Sequence, residues 1–580
     1  MALCKDASNE HLRTMSAGKI KWQMWGASVL RRAEETDRPI CLCIVNASSW
    51  WSHAMKANFD HDEIVAMLNK DYIPVMCEDH AAPNLTLAAR AMAQIMMGHA
   101  GWPLFLFLTP KCEPIFASSY MPQQSNSPVT PGMLEVLRRI KWLWLMKRPQ
   151  INEAASSYSA QLNEAVSPFA ETLEGELRTR VLSMLYSEAD EAGGWRGAPK
   201  FPQAPKIFLE TWLSRTSQDD VSLKKHIEKT VKALTESSLH DLLGGGFFDY
   251  CREADWTQPY LGKRAAQNCI VLLALLECWR VTRDASLLKI VRNGVDFVKR
   301  RFANEKGILC TGEDIGASQE LESYYLLNKG VCDALLTASS HSLSYEEYTD
   351  PFTRQRSGKY LLSYGGAAAE VDVVSPSVPE IAGRRLPPLE KSCLLRDNAY
   401  FVVLLARVAR HSDDTCLYDE AVRACTAMDS NFCQGGIFYH AVYDEKPEGA
   451  MTLEDASTLL WAELELYRFG REETRLKRAA EIAESILTRF DGNGALNLVE
   501  RAENELLSAC DAGDDFLPSA NGVMTNNLIT LGRLTGNDSW SKKAKSIVDS
   551  FGGALNRYPT TCAELALAAL RMSEAKFMNV

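Results

Sequence analysis

The chain has 580 residues, of which 46% are hydrophobic and 24% charged, and a net charge of −11. That length exceeds one ordinary core and predicts two domains, and the composition is that of a folded chain rather than a disordered one. Acidic residues spread along the whole sequence argue against a nucleic-acid partner and against an anionic membrane, since either calls for a basic patch.

Residues 1–150 alternate between the two regular structures. Ile40 to Val45 reads as a buried strand, followed by the turn Ser49-Trp-Trp-Ser52-His53. Asp60 to Leu68 reads as a helix with Asp60 as its N-cap candidate. Tyr72 to Cys77 is a second strand, Leu85 to Met97 a helix, Pro103 to Leu108 a third strand and Ile115 to Ala117 a short fourth. Pro131 and Gly132 punctuate the chain before a helix through Trp144. Such an order predicts a compact α/β layer. Ser49 and Ser52 occupy the positions where a thioredoxin-like fold carries Cys-x-x-Cys, and a hydroxyl cannot cycle through a disulfide. The expected domain is therefore redox-inactive, with both serines as helix caps and Trp102–Pro103 as a cis bond.

From residue 165 to 580 the pattern is helical. Residues 265–281 are apolar nearly all round, as in a helix buried on both sides, and a one-sided stripe follows at Leu287, Leu288, Val291, Val295 and Val298. The same pairing recurs at 399–409 with 418–425, at 456–467 with 476–487, and at 523–534 with 544–548. Repeated buried-then-amphipathic hairpins predict an inner ring of helices wrapped by an outer one, an (α/α)6 toroid. The apolar runs, such as Ile270 to Leu276, are shorter than the roughly 20 residues of a membrane span. The sixteen cysteines include no Cys-x-x-Cys and the ten histidines show no metal-ligand spacing, so neither a metal nor another cofactor is expected. Free thiols and the lack of a secretory signal point to the cytoplasm.

Eight short motifs stand in one order: Trp22-Gln-Met-Trp25-Gly26, His53-Ala-Met55, Gly101-Trp-Pro-Leu104, Gly197-Ala-Pro-Lys-Phe-Pro202, Gly244-Gly-Gly-Phe247, Glu313-Asp314, Glu454-Asp455-Ala456 and Pro518-Ser-Ala-Asn-Gly522. Together they resemble the spermatogenesis-associated protein 20 family. The resemblance implies a thioredoxin-like domain fused to a six-hairpin glycosidase-like barrel similar to those of sugar 2-epimerases. The chain departs from the family at its centres. Cys-His-Trp-Cys-His becomes Ser49-Trp-Trp-Ser-His53, Gly-Gly-Gly-Phe-His-Arg-Tyr becomes Gly244-Gly-Gly-Phe-Phe-Asp-Tyr250, and Pro-His-Phe-Glu-Lys-Met becomes Pro259-Tyr-Leu-Gly-Lys-Arg264.

Two functions are left open by the residues. The first is a repurposed non-redox enzyme whose barrel binds a small organic or sugar-like metabolite and performs isomerisation, cyclisation or hydrolysis, as in a biosynthetic pathway. The second is a pseudoenzyme serving as a binding scaffold, with a protein partner docking on the first domain. For catalysis the candidates are Asp455, Asp314, Glu313 and Asp397, carboxylates near the starts of hairpin units that are equally suited to helix capping. For substrate binding they are Gly245, Phe247, Phe248, Tyr250 and Trp256 as an aromatic mouth, Lys263 with Arg264 as cations, and Asn521. His240 and His440 read as structural. The Gly244 loop, Trp256, Glu313, Asp314, Asp397, Asp455 and Asn521 lie at junctions leading into or out of inner helices, which a toroid gathers at one rim.

Overall fold

Four strands form the centre of the first unit: β1 (Ile40–Val45), β2 (Ile73–Glu78), β3 (Leu104–Leu108) and β4 (Pro114–Ser118), in the order β2-β1-β3-β4. β1 runs parallel to β2 and antiparallel to β3, which pairs antiparallel with β4. All six residues of β1 are buried because both sheet faces are covered. Cys41, Cys43, Val45, Phe105 and Phe107 pack with α4 (Asp62–Asp71) and α6 (Met133–Met146); Ile40, Leu42, Ile44, Leu104 and Leu106 pack with α2 (Ala27–Thr36) and α5 (Pro83–Met97). The Trp102–Pro103 peptide is cis. This is a thioredoxin-like sheet. α4 starts at Asp62 rather than Asp60, and its N-cap position, His61, makes no side-chain cap bond; Asp62 and Glu63 answer the helix dipole instead.

The computed structural model describes residues 3–573 except 48, 126–130, 166, 218–220, 317, 339–342, 352–353, 365–382, 493 and 501–508. The first unit comprises Met1–Ser167, Ala441–Thr452 and Asn497–Cys510; the second comprises Pro168–His440, Leu453–Leu496 and Asp511–Val580. The first thus runs past residue 150, because α7 (Arg148–Ala165) packs on α5 and β4. It also takes in a later segment through the Arg13–Asp444 ion pair at 2.9 Å, Arg13 lying in α1 (Glu10–Ser16).

The second unit is the expected toroid. Its inner helices are α9 (Ala204–Thr216), α11 (Ala265–Thr282), α13 (Leu395–Ser412), α15 (Leu453–Gly470), α17 (Ala520–Thr535) and α19 (Ala563–Ser573). Each packs on the next, and α19 packs back on α9, which closes the ring. The outer helices are α8 (Leu177–Glu188), α10 (Val221–Glu236), α12 (Ala285–Phe302), α14 (Thr415–Phe432), α16 (Glu473–Arg489) and α18 (Asp538–Ser550). α11 is long and apolar enough to cross a membrane, and its apolar surface is taken up by its neighbours in the ring. The sixteen cysteines are free thiols, most of them buried.

One device recurs where the inner helices begin. Asn268 accepts from the Phe247 amide at 2.7 Å and donates to the Phe247 carbonyl at 3.0 Å. Asn398 does the same to Leu309 (2.7 and 3.3 Å), and Asn521 to Leu496 (3.0 and 2.9 Å). Each asparagine satisfies both backbone groups of one buried residue in the connection before its helix, as buried backbone requires. Asn398→Ala leaves two buried groups unpaired and is expected to cost roughly 2 kcal/mol or more, measured by urea denaturation. A loss below about 0.5 kcal/mol would show that the clamp is idle.

Candidate functional site

In the first unit the turn after β1 does not work as caps. Ser49 holds the N-cap position of the helix Trp50–Ala54 without a side-chain cap bond, and its hydroxyl reaches the Trp102 carbonyl at 3.5 Å. Ser52 is buried, and its Oγ accepts from the amide of Asn46 at 3.1 Å. The hydroxyl thus ties the end of β1 to the helix.

In the toroid, the residues singled out from sequence do lie at junctions where inner helices begin, and most are consumed by internal bonds there. Asp455 is buried in the first turn of α15, accepting from the Arg396 amide at 3.1 Å and bound to His440 Nδ1 at 2.6 Å. Burial opposes charge on His440, but Asp455 outweighs it and holds the imidazole pKa above its usual value. Arg396 bridges Asp397 at 3.1 Å and Glu454 at 2.5 Å. Burial lifts the Asp397 carboxyl to about 6 against the pull of Arg396. Glu313 is buried between Arg301 (3.0 Å) and the Tyr325 hydroxyl (2.6 Å), while Asp314 accepts from the Gly316 amide at 2.8 Å in a turn.

The expected aromatic mouth is mostly interior. Phe247 stacks on His240 at 4.7 Å, Phe248 meets Tyr325 edge-on at 4.9 Å, and the buried Trp256 indole donates to the Gly193 carbonyl at 3.1 Å. Gly246, at φ +77°, sits where a Cβ would overlap the Phe297 ring, so the glycine loop closes on its own protein. Lys263 is not a rim cation: it is 1% exposed. Its ammonium binds Asp241 at 2.5 Å and the Gly245 carbonyl at 2.7 Å, and lies 4.6–4.9 Å from the ring centres of Phe248, Phe297 and Tyr325. Tyr250 remains half-buried in a cluster with Phe201 (4.8 Å) and Tyr260 (5.1 Å). Asn521 is the backbone clamp described above.

A cavity of about 290 Å³ lies elsewhere, lined by all six inner helices, mostly from their middle and C-terminal parts. Neither Asp455, Asp314, Glu313 nor Asp397 is among its lining residues. Every inner helix carries an arginine near its C-terminal end: Arg215, Arg280, Arg410, Arg468, Arg533 and Arg571, all of which line the cavity with Arg407 one turn deeper in α13. Cations there complement the negative helix ends. Against these seven stand three glutamates. Glu277 binds Arg215 (2.9 Å), Arg280 (2.8 Å) and Arg407 (3.2 Å), which hold its carboxyl down at about 2 despite burial. Glu465 binds Arg407 (2.9 Å), Arg410 (3.2 Å) and Arg468 (3.2 Å).

The third glutamate differs. Glu564 is 5% exposed; Asn526 donates to its Oε1 at 2.7 Å, and Oε2 has no hydrogen-bond partner among the described residues. Burial raises its carboxyl to about 7 against the pull of Arg571 and Arg407. Burial and the neighbouring Arg533 and Arg468 push Arg571 down to about 9, which reflects a strongly positive surround; the guanidinium keeps its proton at neutral pH. Trp212 and Trp461 add apolar faces to the lining. The residues missed from sequence are thus the arginines and Glu564. Their signal was an arginine closing each apolar run, as in Trp279-Arg280, Ala409-Arg410, Tyr467-Arg468 and Leu570-Arg571.

Residues 2–163 match the family model Thioredox_DsbH, described as a protein of unknown function, DUF255. Over 628 aligned residues the chain is 22% identical to rat spermatogenesis-associated protein 20, covering 95% of this chain and 78% of the relative. The chain is thus similar to spermatogenesis-associated protein 20 over nearly its whole length. It is likewise 22% identical to the uncharacterised protein B0495.5 of Caenorhabditis elegans, across 95% of this chain and 83% of that one. Among solved structures it is similar to the GH76 alpha-mannanase BT2949 of Bacteroides thetaiotaomicron (TM-score 0.46, 12% identity, 69% of this chain and 96% of that chain). It is also similar to a D-mannose isomerase (TM-score 0.46, 9% identity, 69% and 96%). Asp249 and Arg264, where the resemblance implies an Arg and a Met, form an ion pair at 2.6 Å.

Proposed function

We propose that the toroid binds a small anionic, sugar-like metabolite in the arginine-rimmed cavity and transforms it by acid/base chemistry without a redox cofactor. The observation that carries this is the charge of the lining: seven arginines face three glutamates around about 290 Å³. A carboxylate or phosphate on the ligand completes that balance, and guanidinium groups suit such oxyanions. The volume matches the lower end of small-molecule sites, and Trp212 and Trp461 offer faces on which a sugar ring stacks. Glu564 has the attributes of a proton carrier: a carboxyl near neutrality whose Oε2 makes no hydrogen bond among the described residues. Isomerisation, cyclisation and hydrolysis all use such a group.

A second reading is a scaffold without chemistry, favoured by the saturation of Glu277 and Glu465 with three arginines each. Calorimetric titration of the full chain with hexose phosphates, hexuronates and the neutral hexoses separates these ideas. Binding of the anionic compounds alone, lost in Arg571→Met, is the expected result; equal binding of neutral sugars, or indifference to Arg571→Met, overturns the anion site. For a compound that binds, NMR in D2O then reads exchange or conversion. Turnover that vanishes in Glu564→Gln while binding persists supports the enzyme, and no conversion by the wild-type chain supports the scaffold.

A further inference from the structure

One hydrogen-bond chain in the cavity wall fixes where a proton sits. Arg571, near the end of α19, donates from Nη1 to Asn526 Oδ1 at 2.5 Å and from Nη2 to Thr530 Oγ1 at 3.4 Å. A guanidinium donates and never accepts, so the amide oxygen of Asn526 faces the arginine and its nitrogen faces Glu564. That nitrogen donates to Glu564 twice, to the backbone carbonyl at 3.1 Å and to Oε1 at 2.7 Å. Oε1 is thereby held as an acceptor, and a proton on this carboxyl belongs on Oε2.

Oε2 is buried and makes no hydrogen bond among the described residues, and Glu564, Asn526 and Arg571 all line the cavity. An O–H without an acceptor is costly in an interior, and an oxygen of a bound ligand supplies one. The charged groups set against Glu564 are Arg571 on α19 itself and Arg407 on α13. Arg533 on α17 and Arg468 on α15 act on Arg571, and α9 brings Arg215, which is bound to Glu277. Asp514, in the connection before α17, accepts from the Glu564 amide at 3.0 Å, and the two carboxylates disfavour each other's charge. Tyr400 on α13 is a further titratable neighbour, held protonated by burial and nearby carboxylates. Burial outweighs the guanidinium groups, and the Glu564 carboxyl is lifted to about 7.

We propose that Glu564 binds the ligand's oxyanion as a protonated acid, donating from Oε2, and that Asn526 is the positioning residue that keeps the proton on that oxygen, so that an anion and a proton are bound together. The inference rests on the reading of the cavity as an anion site, and it narrows the ligand to a carboxylate such as that of a hexuronate. One carboxylate oxygen accepts from Oε2 while the other takes a bond from a guanidinium. A sugar carboxylate, with an ordinary pKa of about 3–4, leaves the proton on Glu564, whereas a phosphate ester, with a second pKa of about 6, competes for it. An anion beside Glu564 disfavours its ionised form, so affinity is lost as the pH climbs above about 7.

The test is calorimetric titration of the full chain with glucuronate and galacturonate, whose own carboxyls stay ionised, from pH 6 to 8.5. Kd is expected to weaken about tenfold across that range, with about half a proton or more taken up per ligand at pH 7.5, read from heats in buffers of different ionisation enthalpy. Glu564→Gln, which cannot ionise, takes up no proton and binds with one affinity at every pH. Asn526→Leu frees Oε1 for Arg571, flattens the profile and weakens binding at pH 6. Asp514→Asn keeps the fall, because the Asp514 carboxylate is occupied by the Ser519 and Glu564 amides. Circular dichroism establishes that each variant folds; if Asn526→Leu does not, the isosteric Asn526→Asp, which draws the proton to the Oε1 side, is expected to flatten the profile in its place. Equal affinity at pH 6 and 8.5, a fall that survives Glu564→Gln or either Asn526 variant, or binding of hexose phosphates without hexuronates overturns the inference and leaves the anion site standing. Binding of neither class of anion overturns both.

Discussion

Glu465→Ala is expected to destabilise the toroid by roughly 3–5 kcal/mol, the cost typical of breaking a buried ion cluster from one side. Glu465 is buried in α15 and receives Arg407, Arg410 and Arg468, together with the Trp461 indole at 3.3 Å. Those three arginines hold its carboxyl well below the usual range despite complete burial. Its removal leaves three guanidinium groups facing one another, of which Arg407 keeps its ion pair with Glu277. Arg468→Ala, by contrast, removes a third-exposed partner and should cost no more than about 1 kcal/mol. Urea is the denaturant to use, because a guanidinium salt would screen the interaction under test. A loss below about 1 kcal/mol for Glu465→Ala would mean that the arginines are neutralised by something other than this carboxylate.

Glu564→Gln should gain stability relative to the wild-type chain as the pH rises from 5 to 8. The sign follows from a folded pKa, about 7, that lies above the ordinary carboxyl value. Such a group favours the fold while protonated in both states, and that advantage is lost as the pH climbs through the folded pKa. The full effect of burying the charge is roughly 3 kcal/mol above pH 8. Glutamine keeps the acceptor for Asn526 and has no charge to desolvate. Asp514, lifted by burial to about 7, titrates in the same window and accepts from the Glu564 amide at 3.0 Å, so the difference between wild type and variant is the quantity to follow. Calorimetric Tm values across the range should show the variant overtaking the wild type by a few degrees. A flat difference would put the Glu564 carboxyl back near its ordinary pKa.

The inner helices α11, α13, α15 and α17 were legible because they are apolar over most of their surface, and the strands of the first unit because their runs are short and bounded by turn residues. α9 and α19 escaped notice for one physical reason. Their buried faces include Glu210 in α9, bonded to His226 on the next helix, and Glu564 in α19, bonded to Asn526 on α17, and these polar groups break up the apolar run. A local window does not show which side chains meet in space. The same limit governed the site. Carboxylates near helix starts drew attention by position, and Asp397, Glu313 and Asp455 proved to be held by Arg396, Arg301 and His440. Lys263 looked like a solvated cation because nothing nearby in sequence announces its three aromatic neighbours. The arginines closing the inner helices were visible as a repeat, and their convergence on one cavity needed the closed ring.

That closure has a bearing on how the protein is made. The last contact of the circle joins α19 to α9, partners separated by some 350 positions along the chain. During synthesis α9 leaves the ribosome early and waits with one flank uncovered until α19 emerges. At roughly 5–20 residues per second this is an interval on the order of 20–70 seconds. Throughout it the uncovered flank of α9 is open to other chains, joined near the end by that of α17, and shielding by chaperones matters most then. A stop codon just before Ala563 would make the exposure permanent, so the loss of eleven helical residues should behave as an aggregation defect of the whole toroid rather than as a trimmed end.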